Sequence, residues 1–335
     1  MQLTEIAERI HRIRENIGRV FVGKPEVVDL LLTTLVAGGH ALLEDVPGMG
    51  KTLLAKALSC SLGCTFRRVQ FTPDLLPSDL SGIHFFNQAK GAFEFRPGPL
   101  FTHILLADEI NRATPRTQSS LLESMEERQI TIDGETHRLE QPFMVVATQN
   151  PIDNQGTFPL PEAQLDRFLM RISFGYPAFE DEVAILERFR ERNPLEDLKP
   201  VLSAGDVIEL QHQAAAVRVH PDLLRYIVRI AEASRRHPDV ALGVSPRGSQ
   251  ALLRASQAWA LVQGRDYVTP DDIKRLAEPV LAHRLLLHHA MPGRAARPEE
   301  VVRSLLAQTE VPAEPLPAAD AAATPFAAGG GPASR

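Results

Sequence analysis

The chain has 335 residues, 44% of them hydrophobic and 23% charged, and its formal net charge is −6 at pH 7. Such a length predicts about two folded domains, and the composition excludes a fibrous or wholly disordered protein. No run of ~18 apolar residues is present, which excludes a membrane-spanning helix, and the acidic balance weighs against a standing nucleic-acid partner.

From the N-terminus, MQLTEIAERIHRIRENI predicts an amphipathic helix with Leu3, Ile6, Ile10, Ile13 and Ile17 on one stripe. Its charges distinguish it from a secretory signal. Short apolar runs then alternate with helical patterns as far as residue 177: HALLE (40–44), TFRRVQF (65–71), HILLA (103–107), FMVVAT (143–148) and MRISF (170–174). Near-continuous apolar runs separated by helices predict an α/β fold, a parallel sheet covered on both faces. Two segments interrupt the alternation. IHFFNQAKGAFEFRPG (83–98) places Phe85, Phe86, Phe93 and Phe95 around a Lys90-Gly91 turn, and QITIDGETHRLE (129–140) alternates around Asp133-Gly134, a hairpin signal. Either is sheet decoration or a moving part that touches a partner. From Ala178 the strands are expected to stop and helical patterns to dominate to about residue 307, with Thr269 and Pro270 opening one helix. After Thr309 the chain is rich in Ala, Pro and Gly and predicts a disordered tail.

The first strand runs into LLEDVPGMGKT and then a helical LLAKALS. A strand, a glycine turn and a helix start are what a phosphate cradle needs: the glycines aim backbone N–H groups at phosphate oxygens, and the helix dipole adds to them. Pro47, Gly48, Met49, Gly50 and Leu53 belong to this loop. Lys51 is expected to reach the β- and γ-phosphates and the Thr52 hydroxyl to bind Mg²⁺. The first glycine of the G-x-x-x-x-G-K-[ST] pattern is Asp45 here, and its carboxylate is expected to point away. Cys60 and Cys64 stand four apart on the helix expected after the loop, without a further Cys or His pair to complete a metal site. Buried, reduced thiols of a cytoplasmic protein are expected.

Downstream, HILLADEIN ends in Asp108-Glu109, which puts two carboxylates at the carboxyl edge of the sheet, beside the phosphate loop. Asp108 is expected to hold Mg²⁺ through its water shell, and Glu109 to polarise the water that attacks the γ-phosphate. Asn150, at the tip of FMVVATQNP, is placed to hydrogen-bond the γ-phosphate and that water, or is a turn residue before Pro151. Arg167 is either an internal partner, of Asp166 for example, or a finger reaching a neighbouring subunit's site. Arg247, in Ser245-Pro246-Arg247-Gly248, is a helix-start arginine or a guanidinium that senses the nucleotide.

Taken in order, VPGMGKT, LLADEINRA, ATQNP, PEAQLDRF and GVSPRG resemble the MoxR family of AAA+ ATPases, and FTPDLLPSDLSG (71–82) and RPGPLF (96–101) fit the same family. The resemblance covers roughly residues 1–307. It implies a P-loop αβα sandwich with a five-stranded parallel sheet (1–177) and a smaller all-helical lid (178–310), which leaves the Ala/Pro/Gly-rich residues 311–335 as a tail. It also implies an insertion near 76–97 and a hairpin at 129–139 that face the pore of a ring, usually hexameric. By this resemblance Lys51, Thr52, Asp108, Glu109 and Asn150 form an ATP and Mg²⁺ site, with Val22 and Gly23 in the loop that contacts adenine. Arg167 resembles the arginine finger and Arg247 the lid sensor, acting on its own or a neighbour's nucleotide. Relatives remodel or activate client proteins, as in complex maturation or metal and cofactor insertion, often with a partner carrying a von Willebrand factor A-type domain. A metal-chelatase motor subunit and a nucleic-acid-directed motor are the alternatives; the acidic charge and the mixed charges of the 129–140 hairpin oppose the second. A non-catalytic scaffold is opposed by Asp108, Glu109 and Asn150.

Overall fold

The structure is a computed structural model, and it describes residues 2–44, 48–149, 157–190, 193–288 and 297–311. Helix α1 (Leu3–Gly18) buries Ile6, Ile10, Ile13 and Ile17, and leaves Leu3 at the rim. Asn16 is buried among them because its amide donates to Ser61 Oγ at 2.9 Å and to the carbonyl of Lys199 at 3.1 Å. Helix α2 (Pro25–Val36), opened by proline at its first turn, is almost wholly buried. Then come β1 (Ala41–Glu44), α3 (Lys51–Ser61) and β2 (Phe66–Gln70). Next are α4 (Pro77–Ser81), the hairpin β3 (Gly82–Asn87) and β4 (Ala92–Pro97), and β5 (Ile104–Asp108). They are followed by α5 (Pro115–Glu127), the hairpin β6 (Gln129–Ile132) and β7 (Glu135–Arg138), and β8 (Met144–Gln149). A one-turn α6 (Glu162–Leu165) precedes β9 (Met170–Ile172).

The five expected strands form one parallel sheet in the order β2-β5-β8-β1-β9. Each central strand feeds two cores alternately, because successive side chains point to opposite faces. Ala41, Leu43, Ile104, Leu106, Met144 and Val146 join the core under α1, α2 and α3. Leu42, Leu105, Ala107, Val145 and Ala147 join the other, under α5. This double burial explains the near-continuous apolar runs. Strand β2 is the exception: it is a sheet edge, and Arg67 and Arg68 are exposed on it.

Both hairpins are present. Asp133 (φ 50°) and Gly134 (φ 85°) adopt the left-handed conformations of a type I′ turn. The two hairpins dock on each other through Phe95 stacked on His137, with centroids 4.5 Å apart, and through His84 Nδ1 at 2.9 Å from Asp133 Oδ2. Ile83, Phe86 and Phe93 remain exposed on the outer hairpin.

Helices α7 (Phe179–Phe189), α8 (Ala204–Ala215) and α9 (Pro221–Arg236) follow. A short strand β10 (Val240–Leu242), then α10 (Pro246–Val262), α11 (Pro270–Leu281), β11 (Leu286–Leu287) and α12 (Pro298–Gln308) complete the chain. Thr269 caps α11 as expected, in a reciprocal box with Asp272. The antiparallel ribbon of β10 and β11 corrects the expectation that strands stop at Ala178; three and two residues are too few to show a strand period. Helices α8 to α12 and the N-terminal helices share one apolar core with the sheet face they cover.

The cysteines also depart from expectation. Helix α3 ends at Ser61, so Cys64 lies beyond it, and both thiols are half-buried rather than buried. Burial pushes the Cys64 thiol up to about 11. Among the described residues no helix is long and apolar enough to cross a membrane, and no His, Cys, Asp and Glu cluster is arranged to hold a metal.

Candidate functional site: a phosphate cradle and a remote arginine cluster

At the carboxyl edge of the sheet, Gly50 sits in the left-handed region (φ 80°) and turns the chain into α3, which opens with Lys51 and Thr52. A cavity of about 420 Å³ lies there, lined by Gly50, Lys51, Thr52, Asp108, Glu109 and Thr148. The carboxylates are held in detail. Thr148 Oγ1 donates to Asp108 Oδ1 at 2.6 Å and accepts from the Glu109 backbone N–H at 2.9 Å. Arg68 donates to Asp108 Oδ2 at 2.7 Å through Nη2 and at 3.1 Å through Nε. Glu109 has left-handed backbone (φ 56°, ψ 51°), and its Oε2 accepts from Gln70 Nε2 at 2.7 Å and Arg112 Nη1 at 2.9 Å. A non-glycine residue in that conformation costs on the order of 1 kcal/mol and persists only where its surroundings fix it.

Gly48, Gly50 and Leu53 also border a second, apolar cavity of about 550 Å³. Phe21, Val22, Met49, Phe174, Tyr176 and Leu186 line it. Gly23 shapes the turn above it: φ is 81°, and a Cβ there would fall 2.3 Å from Asp181 Cγ. An apolar slot joined to a glycine cradle with a lysine has the shape and polarity for a base and its phosphates. The Thr52 hydroxyl and the Asp108 carboxylate, both lining the cradle cavity, are oxygen ligands suited to Mg²⁺. Pro47 and Asn150 lie outside the described residues.

Arg167 and Arg247 are elsewhere. They line a cavity of about 300 Å³ together with His40 and Leu169, the residues just before β1 and β9, at the amino edge of the sheet. Between that edge and the phosphate loop lie strands of five and six residues, roughly 15–20 Å of sheet. The pairing with Asp166 considered for Arg167 is not what the structure has. Arg167 Nε lies 3.4 Å from Glu126 Oε2, and its Nη1 donates to the carbonyl of Leu122 at 2.5 Å. Arg247 Nη2 takes the other Glu126 oxygen at 2.8 Å. Asp166 instead accepts from Arg284 at 2.6 Å. His40 is neutral there: Nδ1 accepts from the Val145 N–H at 2.9 Å, Nε2 faces the Met125 carbonyl at 3.1 Å, and burial lowers its pKa to about 4.

Thr148, Arg68, Gln70, Arg112, Glu126 and Arg284 were not singled out in the sequence. Two of them carried a signal. Arg68 and Gln70 are two apart on one strand, hence on one face, in register with Leu106 and Asp108.

Residues 40–170 match the ATPase family associated with various cellular activities (AAA), and residues 232–305 match the AAA lid domain. The crystal structure of a protein from Cytophaga hutchinsonii assigned as an ATPase superposes with a TM-score of 0.86 at 37% identity, over 92% of this chain and 96% of that one. The protein YeaC of Bacillus subtilis (strain 168), which is uncharacterized, is 50% identical over 300 residues, 90% of this chain and 94% of its own. Chaperone MoxR1 of Mycobacterium tuberculosis is 41% identical over 319 residues, 92% of this chain and 84% of its own. Similarity at this level, along nearly the whole sequence, makes the chain a member of the MoxR family of AAA+ ATPases.

Proposed function

We propose that the protein is a ring-forming, Mg²⁺-dependent ATP hydrolase whose active sites are shared between subunits, and that hydrolysis remodels or activates client proteins. The observation that carries this reading is the separation of parts. The phosphate cradle, Asp108 and Glu109 occupy the carboxyl edge of the sheet, whereas Arg167 and Arg247 occupy the amino edge. No side chain spans that distance, so these arginines serve a nucleotide only if it belongs to another copy. A ring, hexameric by family resemblance, supplies one.

Within each site the Lys51 ammonium and the loop N–H groups bind the triphosphate, and the slot at Val22 and Phe21 takes the base. Thr52 and Asp108 would hold Mg²⁺, which supplies charge neutralisation on the phosphates. Glu109 accepts the proton of the attacking water, and Asn150 helps to orient that water. Arg167 and Arg247 from the neighbour stabilise charge on the γ-phosphate, worth about 10³–10⁵ in rate for such arginines. Gln70 and Arg112 hold Glu109 by the same oxygen, so the carboxylate is aimed by two donors rather than left to rotate.

The two docked hairpins, with Phe86 and Phe93 exposed, are the surface that would grip a client in the pore. A protein with a von Willebrand factor A-type domain is the partner expected from the family. Free Cys60 and Cys64 favour a reducing compartment, the cytoplasm. We divide the chain at 177/178 into nucleotide-binding core and lid, with 311–335 as a tail. The hydrolytic role is tested with Glu109→Gln: ATP binding should persist while turnover falls at least about 10²-fold, the low end of general-base contributions. Undiminished turnover would remove Glu109 from its role.

A further inference from the structure

The turn that carries Arg167, residues 166–169, is gripped by one side chain from the lid. Arg284, in the 3₁₀ turn that follows α11, is only 3% exposed. Its Nε donates to Asp166 Oδ1 at 2.6 Å, and its Nη2 donates to the carbonyls of Phe168 at 2.7 Å and Asp166 at 3.1 Å. Nη1 donates to the carbonyl of Leu169 at 3.2 Å and to that of Val280, and lies 2.9 Å from His283 Nε2. One guanidinium thus bonds the residues on both sides of Arg167 and leaves Arg167 itself to Glu126. The second oxygen of Asp166 lies 3.8 Å from Arg247 Nε, so the same carboxylate sees both the buried arginine and the exposed one. Gly248, directly after Arg247, is closely packed: a Cβ there would sit 2.7 Å from Val244 Cγ1 and 3.2 Å from Arg284 Cδ.

Burying a guanidinium costs desolvation, and a well-packed apolar side chain often serves stability as well. What the planar fork adds is direction, since its donors fix several acceptors in one plane. We infer that Arg284 is a positioning residue for the arginine pair: it sets the direction in which Arg167 leaves its own subunit and, through Asp166, ties that direction to Arg247 on the lid. This rests on the reading that the pair acts on a neighbour's nucleotide. Lysine has a single point charge on a flexible stem and cannot hold Asp166 and two carbonyls in one plane. A misplacement of about 1 Å in such a group costs up to about 10²-fold in rate.

The test is a mixing experiment with two full-length variants. Donor protomers carry Glu109→Gln, so they do not turn over but still present Arg167; acceptor protomers carry Arg167→Ala, so they keep their own site but present no finger. Mixing the two should restore turnover that neither shows alone. Arg284→Lys placed on the donor should abolish at least about tenfold of the restored rate, whereas the same change on the acceptor should leave it unaltered. Asp166→Asn on the donor should behave like Arg284→Lys, and it serves alone if the lysine variant does not fold. Equal restoration with either donor variant, or equal loss on both sides as a purely structural role would give, overturns the inference. No restoration in the unmodified mixture instead overturns the shared-site reading, so the two failures are told apart.

Discussion

Replacing Thr148 by valine keeps the shape of a side chain that is 1% exposed and removes only its hydroxyl. That hydroxyl donates at 2.6 Å to the Asp108 carboxylate and accepts at 2.9 Å from the Glu109 N–H. A hydrogen bond to a charged group is worth about 1.5–3 kcal/mol, and an amide left without its partner costs about 1–3 kcal/mol. Residual contact of Asp108 with Arg68 and water at the cavity wall offset part of this, so a net destabilisation on the order of 2–3 kcal/mol is expected. The functional effect should exceed the stability effect. Glu109 holds a left-handed backbone that needs external support, and its N–H to Thr148 is part of that support. With its backbone released, the carboxylate is held only through Gln70 and Arg112 and shifts from its aim, and kcat should fall about 10–10²-fold with the affinity for ATP largely retained. Urea unfolding read alongside steady-state turnover measures both. A Thr148→Val protein that unfolds at the wild-type midpoint and turns over within twofold of wild type would refute the reasoning.

Acid should weaken the fold through His40. Its pKa is about 4 when folded against 6.5 when exposed, so the unfolded chain binds the extra proton. Stability is therefore full above pH 6.5 and lost as the pH falls towards 4, by about 3 kcal/mol at about 1.4 kcal/mol per unit. Buried His283, also lowered, acts in the same direction. Urea midpoints at pH 7.5 and 5 check this, and His40→Gln should flatten the acid limb. Gly50→Ala forces a side chain into φ 80° with its Cβ 3.3 Å from the Phe21 ring, at a cost of about 1–3 kcal/mol. It should weaken ATP binding by roughly tenfold or more, as titration calorimetry would show.

The sheet was legible because its strands are buried on both faces, and residues 104–107 and 144–147 must be apolar at every position to feed two cores. The phosphate loop and Asp108-Glu109 were legible because their chemistry depends on local order along the chain. What stayed hidden depends on distant pairing. Arg167 meets Glu126 across 41 residues and Arg284 meets Asp166 across 118, and neither partner differs in sequence from an ordinary surface charge. The two-residue spacing of Arg68 and Gln70 puts them on one face of their strand, but only the sheet order shows that β2 is an edge and that this face turns to the carboxylates. Thr148 carries no signal of its own, because a threonine on an apolar strand is common β-sheet content.

Turnover per subunit measured against protein concentration, with Arg167→Ala beside wild type, tests the central claim most directly. Shared sites predict a specific rate that rises with concentration as subunits assemble and that falls about 10³-fold or more in the variant. A rate independent of concentration and indifferent to Arg167 would contradict the account and leave a self-contained ATPase in its place.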